Sequence, residues 1–359
     1  MAIVNALRFD KSSVGIIADE EYWFLGRRKS YFQDTLQHLT DEEIIEKTGI
    51  IAVYGGTGTP SFHWDIIKKS RAKIKEEFSS RAKNIKTIYD ISKIVLDVLQ
   101  EVKRDRINQK LKFMYGFTID DVNRGYFEFE GKKYDIKQKK IKDKSLGLVM
   151  GSEKSFLTNP ILQNKAVICG YDQKDGVSMY YLNSENSVMS FTSGGYEAIG
   201  PGKYASGLAF AEFFQGMPLY KRREGFSRIE GMIQLINSAI MAADYYNEVG
   251  GLFNIIFIDG EKKNPGDRII EVFDNKGKLA SEIVRSFKLG MITKEDTGRL
   301  IDELIFKGAN IDLLEEQLYK SSKDADKLEL LLRGYKEMEL CDQEPVKQAK
   351  EKSRKGKGE

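Results

Sequence analysis

The first part of the chain alternates between short apolar stretches and polar turns. An apolar stretch at residues 3–9 turns at polar residues 10–13 and returns as a second apolar stretch at 14–19. This pattern predicts a β-hairpin that begins directly after the second residue. Further runs rich in β-branched and aromatic residues predict strands at 22–25, 50–54, 166–171, 177–182, 187–193 and 252–258.

Apolar residues at three- and four-residue steps predict the helices between these strands. The predicted helices cover 30–47, 62–78, 86–115, 204–214 and 227–246. Thr40, with Glu43 three residues later, is expected to cap the first of them. The order is strands, two helices and then more strands. It predicts an α+β fold of four layers, αββα, in which two stacked sheets carry helices on both outer faces.

One segment does not fit a compact sandwich. We predict that the sandwich domain spans 1–259 and that 124–164 is an insertion in it. Within the insertion, residues 126–136 alternate in polarity and turn at Gly131, which predicts a hairpin. A basic run, 137–144, follows this hairpin.

The pattern changes after Asp259. A polar linker leads into 267–342, where apolar three- and four-residue steps predict a C-terminal helical domain. Residues 343–359 are basic and lack apolar periodicity, so we expect a solvated, disordered tail. An arm that binds RNA or an acidic partner is the alternative for this tail.

Composition excludes several functional classes. The net charge is only +3 in 359 residues, which gives no general case for binding nucleic acid or an anionic membrane. Two cysteines and the lack of a signal-peptide pattern fit a reducing cytoplasm. No apolar run approaches the ~20 residues that span a bilayer. With only two histidines, a multi-histidine metal site is excluded, and we expect neither a metal nor a cofactor.

A set of residues spread over 2–258 forms a recognisable series in order and spacing. Ala2 precedes the first strand, Asp19 ends the second, and Lys29 follows the third. The other members are Gly55, Gly56, Asp244 and Asn247, with Gly200-Pro201-Gly202 before a predicted helix. The series resembles the proteasome β-subunit-like N-terminal-nucleophile (Ntn) hydrolases, and the resemblance implies a four-layer Ntn sandwich.

The resemblance also implies roles for these residues. A hydroxyl or thiol on the first mature residue is the nucleophile, and its own α-amino group, with an ordinary pKa near ~8, is the base. The position of this nucleophile is occupied by Ala2, whose methyl group cannot attack. Asp19 holds a lysine that lowers the pKa of the amine; Lys29 matches it best, and Arg28 is the alternative. Gly55 and Gly56 match a turn whose N–H groups stabilise the oxyanion.

The end of the series has matches of its own. Asp244 matches the family's carboxylate near the end of its last long helix, and Asn247 stands where a supporting serine is common. The Gly200-Pro201-Gly202 turn lacks the serine of the family's Gly-Ser-Gly turn. Each of these residues alone is also explained without catalysis, as a strand end, a surface lysine or a helix end. The resemblance therefore depends on the order in which all of them occur along the chain.

Within this superfamily the chain most resembles connectase, an archaeal protein ligase, through Phe24-Leu25-Gly26 before a basic run and through an extra C-terminal domain. That resemblance implies a monomeric transpeptidase that forms an acyl-enzyme ester, with protein substrates that carry a short Lys-Asp-Pro-Gly-Ala-like sequence. Ala2 then marks either a natural pseudoenzyme or a replaced nucleophile. Two other functions stay open: a non-catalytic proteasome-like binding or structural protein, and an Ntn amidohydrolase or protease.

Overall fold

The computed structural model describes residues 2–24, 27–30, 35–79, 85–136, 143, 164–185 and 187–335. Two compact units divide the chain, Met1–Gly277 and Lys278–Glu359. In the first unit, two five-stranded antiparallel sheets carry the helices and the candidate site. The predicted tail at 343–359 lies outside the described residues.

The described strands are, in chain order, β1 Val4–Arg8, β2 Ser13–Asp19, β3 Glu21–Phe24, β4 Arg27–Ser30, β5 Leu36–His38, β6 Ile51–Gly58, β7 Tyr126–Phe129, β8 Lys132–Asp135, β9 Asn164–Asp172, β10 Gly176–Asn183, β11 Val188–Phe191, β12 Tyr196–Ile199, β13 Phe253–Asp259 and β14 Ile269–Val272. The described α-helices are α1 Glu42–Thr48, α2 Pro60–Ser79, α3 Ile88–Tyr115, α4 Ile119–Arg124, α5 Lys203–Gln215, α6 Leu219–Glu224, α7 Arg228–Tyr245, α8 Asp274–Lys288, α9 Lys294–Ile301, α10 Ile311–Ser321 and α11 Ala325–Tyr335. A 3₁₀ turn at Pro265–Arg268 and a π-helical turn at Asp302–Phe306 complete the description.

The two sheets stack face to face. The first has the strand order β12-β1-β2-β13-β14 and the second has the order β11-β10-β9-β6-β5. Between them lies an apolar core to which both sheets contribute, for example Val4 and Ile16 from one sheet and Val53 and Val167 from the other. Helices α2 and α3 cover the outer face of the second sheet, while α5 and α7 cover that of the first. The αββα prediction is therefore confirmed.

Alternation along the strands lets each sheet bury both of its faces. In β1, Val4 and Ala6 join the core between the sheets. Asn5 points the other way, and its Nδ2 donates to Ser206 Oγ at 3.0 Å and to Ser238 Oγ at 2.9 Å. These hydroxyls belong to α5 and α7, so a buried polar contact joins the N-terminal strand to both covering helices.

The predicted helix at 30–47 is wrong. Leu36–His38 is instead an edge strand beside β6, and the helix begins only at Glu42. Asp41 caps it by accepting a hydrogen bond from Ile44 N–H. Thr40, the predicted cap, accepts a hydrogen bond from Ala52 N–H at 3.1 Å. Its hydroxyl therefore joins the sheet and is unavailable to the helix.

The hairpin predicted at 126–136 is present as β7 and β8. Phe129 pairs with Lys132, so Glu130 and Gly131 form a two-residue loop in which both have positive φ, 49° and 73°. Two positive φ angles define the type I′ turn that matches the twist of a hairpin. The strands follow α4 and pack on a small core at the end of α3. Residues 137–142 and 144–163 of the predicted insertion lie outside the described residues.

The first unit extends beyond the predicted boundary at 259–267. Strand β13 is not at the edge of its sheet, because Ile269–Val272 pairs with it as a further strand. The division between the units falls after Gly277, within α8.

The second unit is helical over its described residues. Helix α9 begins at a Thr293 cap and α10 at an Asn310 cap. The steps fall on buried positions, among them Ile301, Leu304, Leu314 and Leu318.

Candidate active site

Asp19 anchors the start of the chain. Its carboxylate is fully buried and accepts hydrogen bonds from Ile3 N–H at 2.7 Å and from Gly250 N–H at 3.0 Å, one on each oxygen. In the return direction, Asp19 N–H donates to Ile3 O at 3.3 Å. The end of β2 therefore fixes the backbone immediately after Ala2 and ties it to the turn before β13.

The Gly200-Pro201-Gly202 turn packs directly on Ala2. Gly200 has φ of 101°, and a Cβ atom added to it would lie 2.3 Å from Ala2 O. A Cβ on Gly202 would lie 2.4 Å from Ala242 Cβ and 2.9 Å from Ile3 Cδ1. Both glycines are thus required by close approach, because a side chain at either position would displace the N-terminal segment or α7.

A cleft of about 660 Å³ adjoins this turn. Gly200, Pro201 and Lys203 form one side of it, and the strand ends Thr57–Gly58 and Asn164–Lys165 form another. The end of α7 and the residues that follow it, Tyr245 to Glu248, complete the lining together with Glu185. Gly200, which lines the cleft, also lies against the Ala2 carbonyl, so the cleft adjoins the start of the chain through this glycine.

Gly55 and Gly56 lie inside strand β6, so the predicted turn at these residues is wrong. A Cβ on Gly55 would meet Val4 and Ile16 of the facing sheet, and one on Gly56 would meet His63 of α2. Gly56 N–H donates to Thr35 O at 3.4 Å. The glycines thus permit close packing between layers. The strand ends two residues later at Gly58, whose φ of 134° marks the point where the chain turns beside the cleft.

The remaining predicted residues occupy different surroundings. Lys29 lies in β4, where its backbone pairs with Tyr22 of β3, and Arg28 pairs with Trp23; their side chains lie outside the described part. Asp244 is exposed in the last turn of α7 and does not line the cleft. Asn247 lines the cleft. The structure therefore brings Ala2 and Asp19 together and places Asn247 on the adjoining cleft.

Two other side chains of the first unit that can react, Cys169 and His63, are buried away from solvent. Burial raises the pKa of the Cys169 thiol to about 12 and lowers the pKa of His63 to about 4. A protonated thiol is a poor nucleophile. Among the described residues, no group of three or more His, Cys, Asp or Glu side chains is arranged to hold a metal ion, and no helix is long and apolar enough to cross a membrane.

Four residues of the site were not assigned to it from the sequence. Gly250 supplies the second N–H for Asp19, and Thr57, Gly58 and Asn164 form one side of the cleft. A glycine before Thr59-Pro60, at the predicted strand–helix junction, is a sequence signal for Gly58. Asn164 has no such signal, because only the pairing of β6 with β9 brings it beside Gly58.

A solved structure has a similar fold. The chain is similar to Anbu (ancestral β-subunit) from Yersinia bercovieri, with a TM-score of 0.51 and 9% identity, over 80% of this chain and 94% of that chain. The two chains share a fold. The Anbu (Gly-1) mutant from Hyphomicrobium sp. strain MC1 gives a TM-score of 0.46 and 8% identity, over 72% of this chain and 82% of that chain. No family model matches the sequence, and no curated protein matches it.

Proposed function

We propose that this chain is a sequence-specific protein ligase of the proteasome-like Ntn type, with Ala2 at the position of its nucleophile. The supporting observation is the double fixation of the N-terminal backbone. Asp19 binds the N–H of Ile3, and Gly200 packs against the carbonyl of Ala2 beside a cleft that opens to solvent. This fixation supports a nucleophile at residue 2 that projects from a fixed backbone, close to a space for a substrate.

The proposed reaction is acyl transfer. With a serine at residue 2, the hydroxyl oxygen attacks a peptide carbonyl carbon and its proton passes to the α-amino group of the same residue. The C–N bond breaks, the departing amine takes that proton, and an ester to the upstream peptide remains. An incoming α-amine then attacks the ester, forms a new peptide bond and releases the serine hydroxyl. Ligation requires that the amine be positioned better than water.

Roles follow for the neighbouring groups. Asp19 fixes the backbone from which the nucleophile projects, and Lys29 or Arg28 is the cation that lowers the pKa of the α-amine. We assign the oxyanion donor to the end of β6 at Thr57–Gly58, because Gly56 N–H already donates to Thr35 O and the strand end lines the cleft. By the resemblance, substrates carry a Lys-Asp-Pro-Gly-Ala-like sequence, and the enzyme acts as a cytoplasmic monomer.

The presence of alanine at residue 2 favours a second candidate function. A chain that lacks the nucleophile binds a peptide without cleaving it, so a non-catalytic proteasome-like binding protein accounts for the same site. A natural pseudoenzyme and a replaced nucleophile differ in whether the remaining groups support chemistry once a hydroxyl is present.

The test restores the hydroxyl. The Ala2→Ser and Ala2→Thr proteins, with removal of Met1 verified by mass, are mixed with a peptide carrying Lys-Asp-Pro-Gly-Ala and a second peptide that supplies an α-amine. A ligated product is expected, and the unchanged Ala2 protein is the control. Hydrolysed fragments alone would select a protease. An unchanged mixture, from folded protein that still binds the peptide, would select the binding protein.

A further inference from the structure

Another cavity lies at the far end of the N-terminal strand. Its volume is about 410 Å³, within the ~300–1,000 Å³ that small-molecule sites occupy. Strand β1 begins beside Ala2 and ends at this cavity, which Phe9 lines. The cavity and the cleft beside Ala2 are therefore roughly 20 Å apart along the strand. The β1–β2 turn, the β11–β12 turn, the end of α5 and the α6–α7 connection form the lining.

Aromatic rings form one wall of this cavity. Tyr196 stacks on Phe214 with 5.6 Å between ring centroids, and Phe214 meets Phe226 edge-on at 6.1 Å. Phe9, which is only 1% exposed, contacts Phe226 at 5.7 Å and supports the wall from the core. The other three rings are half-buried, so part of each is open to the cavity. A flat apolar group can therefore pack against this wall.

The rings share one side of the first sheet. A Cβ added to Gly231 of α7 would lie 2.7 Å from Phe9 Cδ1, and Tyr196 packs against α5. Both rings therefore face the helices that cover this sheet. Arg8 also contributes to the lining, but it pairs with Val14 of the core between the sheets and leaves β1 on that opposite face. A charge beside the rings must therefore come from another residue.

Arg222 of α6 supplies this charge. Its Nε donates to Met217 O at 3.0 Å, and its Nη2 donates to Gln215 O at 3.3 Å. These main-chain carbonyls at the end of α5 hold the guanidinium at the cavity without neutralising it. They use only part of its five N–H donors. A guanidinium positioned in this way can bind a carboxylate through paired hydrogen bonds.

The other charges of the lining also favour an anion. Lys11 adds a positive charge, and Asp10 is the carboxylate of the described lining. The β1–β2 turn engages Asp10, because its Oδ1 accepts from Ser12 N–H, Ser12 Oγ–H and Ser13 N–H. Among the described residues of the lining, cations therefore outnumber carboxylates, which favours a negatively charged ligand.

We propose that this cavity binds an aromatic carboxylate. The aromatic ring of the ligand packs against Tyr196, Phe214 and Phe226, and its carboxylate accepts hydrogen bonds from the Arg222 guanidinium. A free aromatic acid and the C-terminal aromatic residue of a peptide share this chemistry. The site is separate from the cleft at residue 2, so the inference is independent of the proposed ligase function.

NMR locates the ligand in the ¹⁵N-labelled Ala2 protein, with N-acetylphenylalanine as the probe. The backbone amides of Gly194, Gly195 and Gly225, which line the cavity, are expected to shift on titration. The amides of Gly58 and Gly200, which line the other cleft, are expected to stay unchanged. Shifts confined to Gly58 and Gly200, or no shift up to the solubility limit of the probe, would overturn the proposal.

The role of the charge is tested with a ligand and a variant. N-acetylphenylalaninamide lacks the carboxylate and is expected to bind about tenfold more weakly than the acid. Arg222→Gln is expected to weaken binding of the acid about tenfold and to remove the preference for the acid over the amide. Lys221→Gln is the matched control, because Lys221 is the exposed neighbour in α6 and does not line the cavity. Equal Kd values for the acid in the Arg222→Gln and Ala2 proteins would contradict the assignment.

A third ligand distinguishes the two sources of the aromatic carboxylate. 3-Phenylpropionate has the ring and the carboxylate of the probe but no peptide group. Tighter binding of N-acetylphenylalanine would select the C-terminus of a peptide, and equal or tighter binding of 3-phenylpropionate would select a free acid. Both results support the proposal, and binding of neither ligand would reject it. Since the Ala2 protein is used throughout, failure of Ala2→Ser to ligate would reject the proposed function without affecting this result.

Discussion

Replacing Asp19 by asparagine tests how the N-terminal segment is held. Asp19 uses both carboxylate oxygens: Oδ1 accepts from Ile3 N–H and Oδ2 from Gly250 N–H. An asparagine offers one oxygen and one NH₂ group. One backbone N–H would therefore keep an acceptor, and the other would face a donor inside the protein.

The size of the effect follows from these two contacts. A hydrogen bond to a charged group contributes about 1.5–3 kcal/mol, and a buried N–H left unpaired carries a cost in addition. We expect Asp19→Asn to lower the free energy of unfolding by about 2–4 kcal/mol. The loss should be accompanied by faster hydrogen exchange of the Ile3 and Gly250 amides, because these lose their shared acceptor.

Asp10 supplies the matched control. Ser12 N–H, Ser12 Oγ–H and Ser13 N–H all donate to the same atom, Asp10 Oδ1. The amide oxygen of an asparagine can replace that atom, so Asp10→Asn should cost less than about 1 kcal/mol. Urea unfolding of the two variants measures the difference. Equal losses, or a loss below about 1 kcal/mol for Asp19→Asn, would refute the view that both carboxylate oxygens hold the N-terminal segment.

Three further predictions concern the packing around the site. Gly200→Ala should lower the free energy of unfolding by about 2–3 kcal/mol, because φ is 101° and the added Cβ would lie 2.3 Å from Ala2 O; Gly194→Ala, whose Cβ meets nothing within 4 Å, is the control. Burial lowers the pKa of His63 from 6.5 to about 4, so the unfolded state binds more protons between these values. The contribution of neutral His63 to the free energy of unfolding is then fully present above pH 6.5, and up to about 3 kcal/mol of it is lost toward pH 4. Denaturant unfolding at several pH values measures this loss. The free energy of unfolding should depend less on pH in His63→Gln, and an unchanged pH dependence would contradict the assignment. Iodoacetamide should leave Cys169 unmodified in the folded protein and alkylate it in urea, because burial raises the pKa of its thiol to about 12; peptide masses decide this.

Long periodic elements were predictable from the sequence. The steps of three and four residues in α3 and α7 and the apolar stretches of β1, β2 and β9 each correspond to a buried face, so local pattern and final packing agree. The hairpin at Gly131 was also predictable, because its loop requires positive φ at a glycine.

Errors arose where a tertiary contact decides the local structure. Thr40 has the character of a helix cap, yet Ala52 N–H binds its hydroxyl and draws the segment into the sheet. Gly55 and Gly56 have the composition of a turn, yet each fills a place where only a hydrogen atom fits between two layers. The sequence pattern contains no information about the side chains that face these positions.

The candidate site likewise contains one residue that the sequence predicts and others that only the strand pairing brings there. Asp19 was predictable because it ends a strand that pairs with the N-terminal strand. Its contact with Gly250 was not, since residues far apart in sequence meet there only through the pairing of β2 with β13. Asn164 reaches the cleft by the same kind of register, between β6 and β9.

The central claim is that residue 2 is the position of the nucleophile. The most direct test is the mass of the N-terminal peptide after reaction. The Ala2→Ser protein, with Met1 removed, is incubated with the Lys-Asp-Pro-Gly-Ala peptide without an added amine and quenched in acid, and its N-terminal peptide is sequenced by tandem mass spectrometry. The account predicts an acyl adduct on the serine introduced at residue 2, equal in mass to the upstream peptide piece, and none on the Ala2 protein. A cleaved peptide with no adduct on residue 2, or an adduct on another residue, would contradict an N-terminal nucleophile at this position.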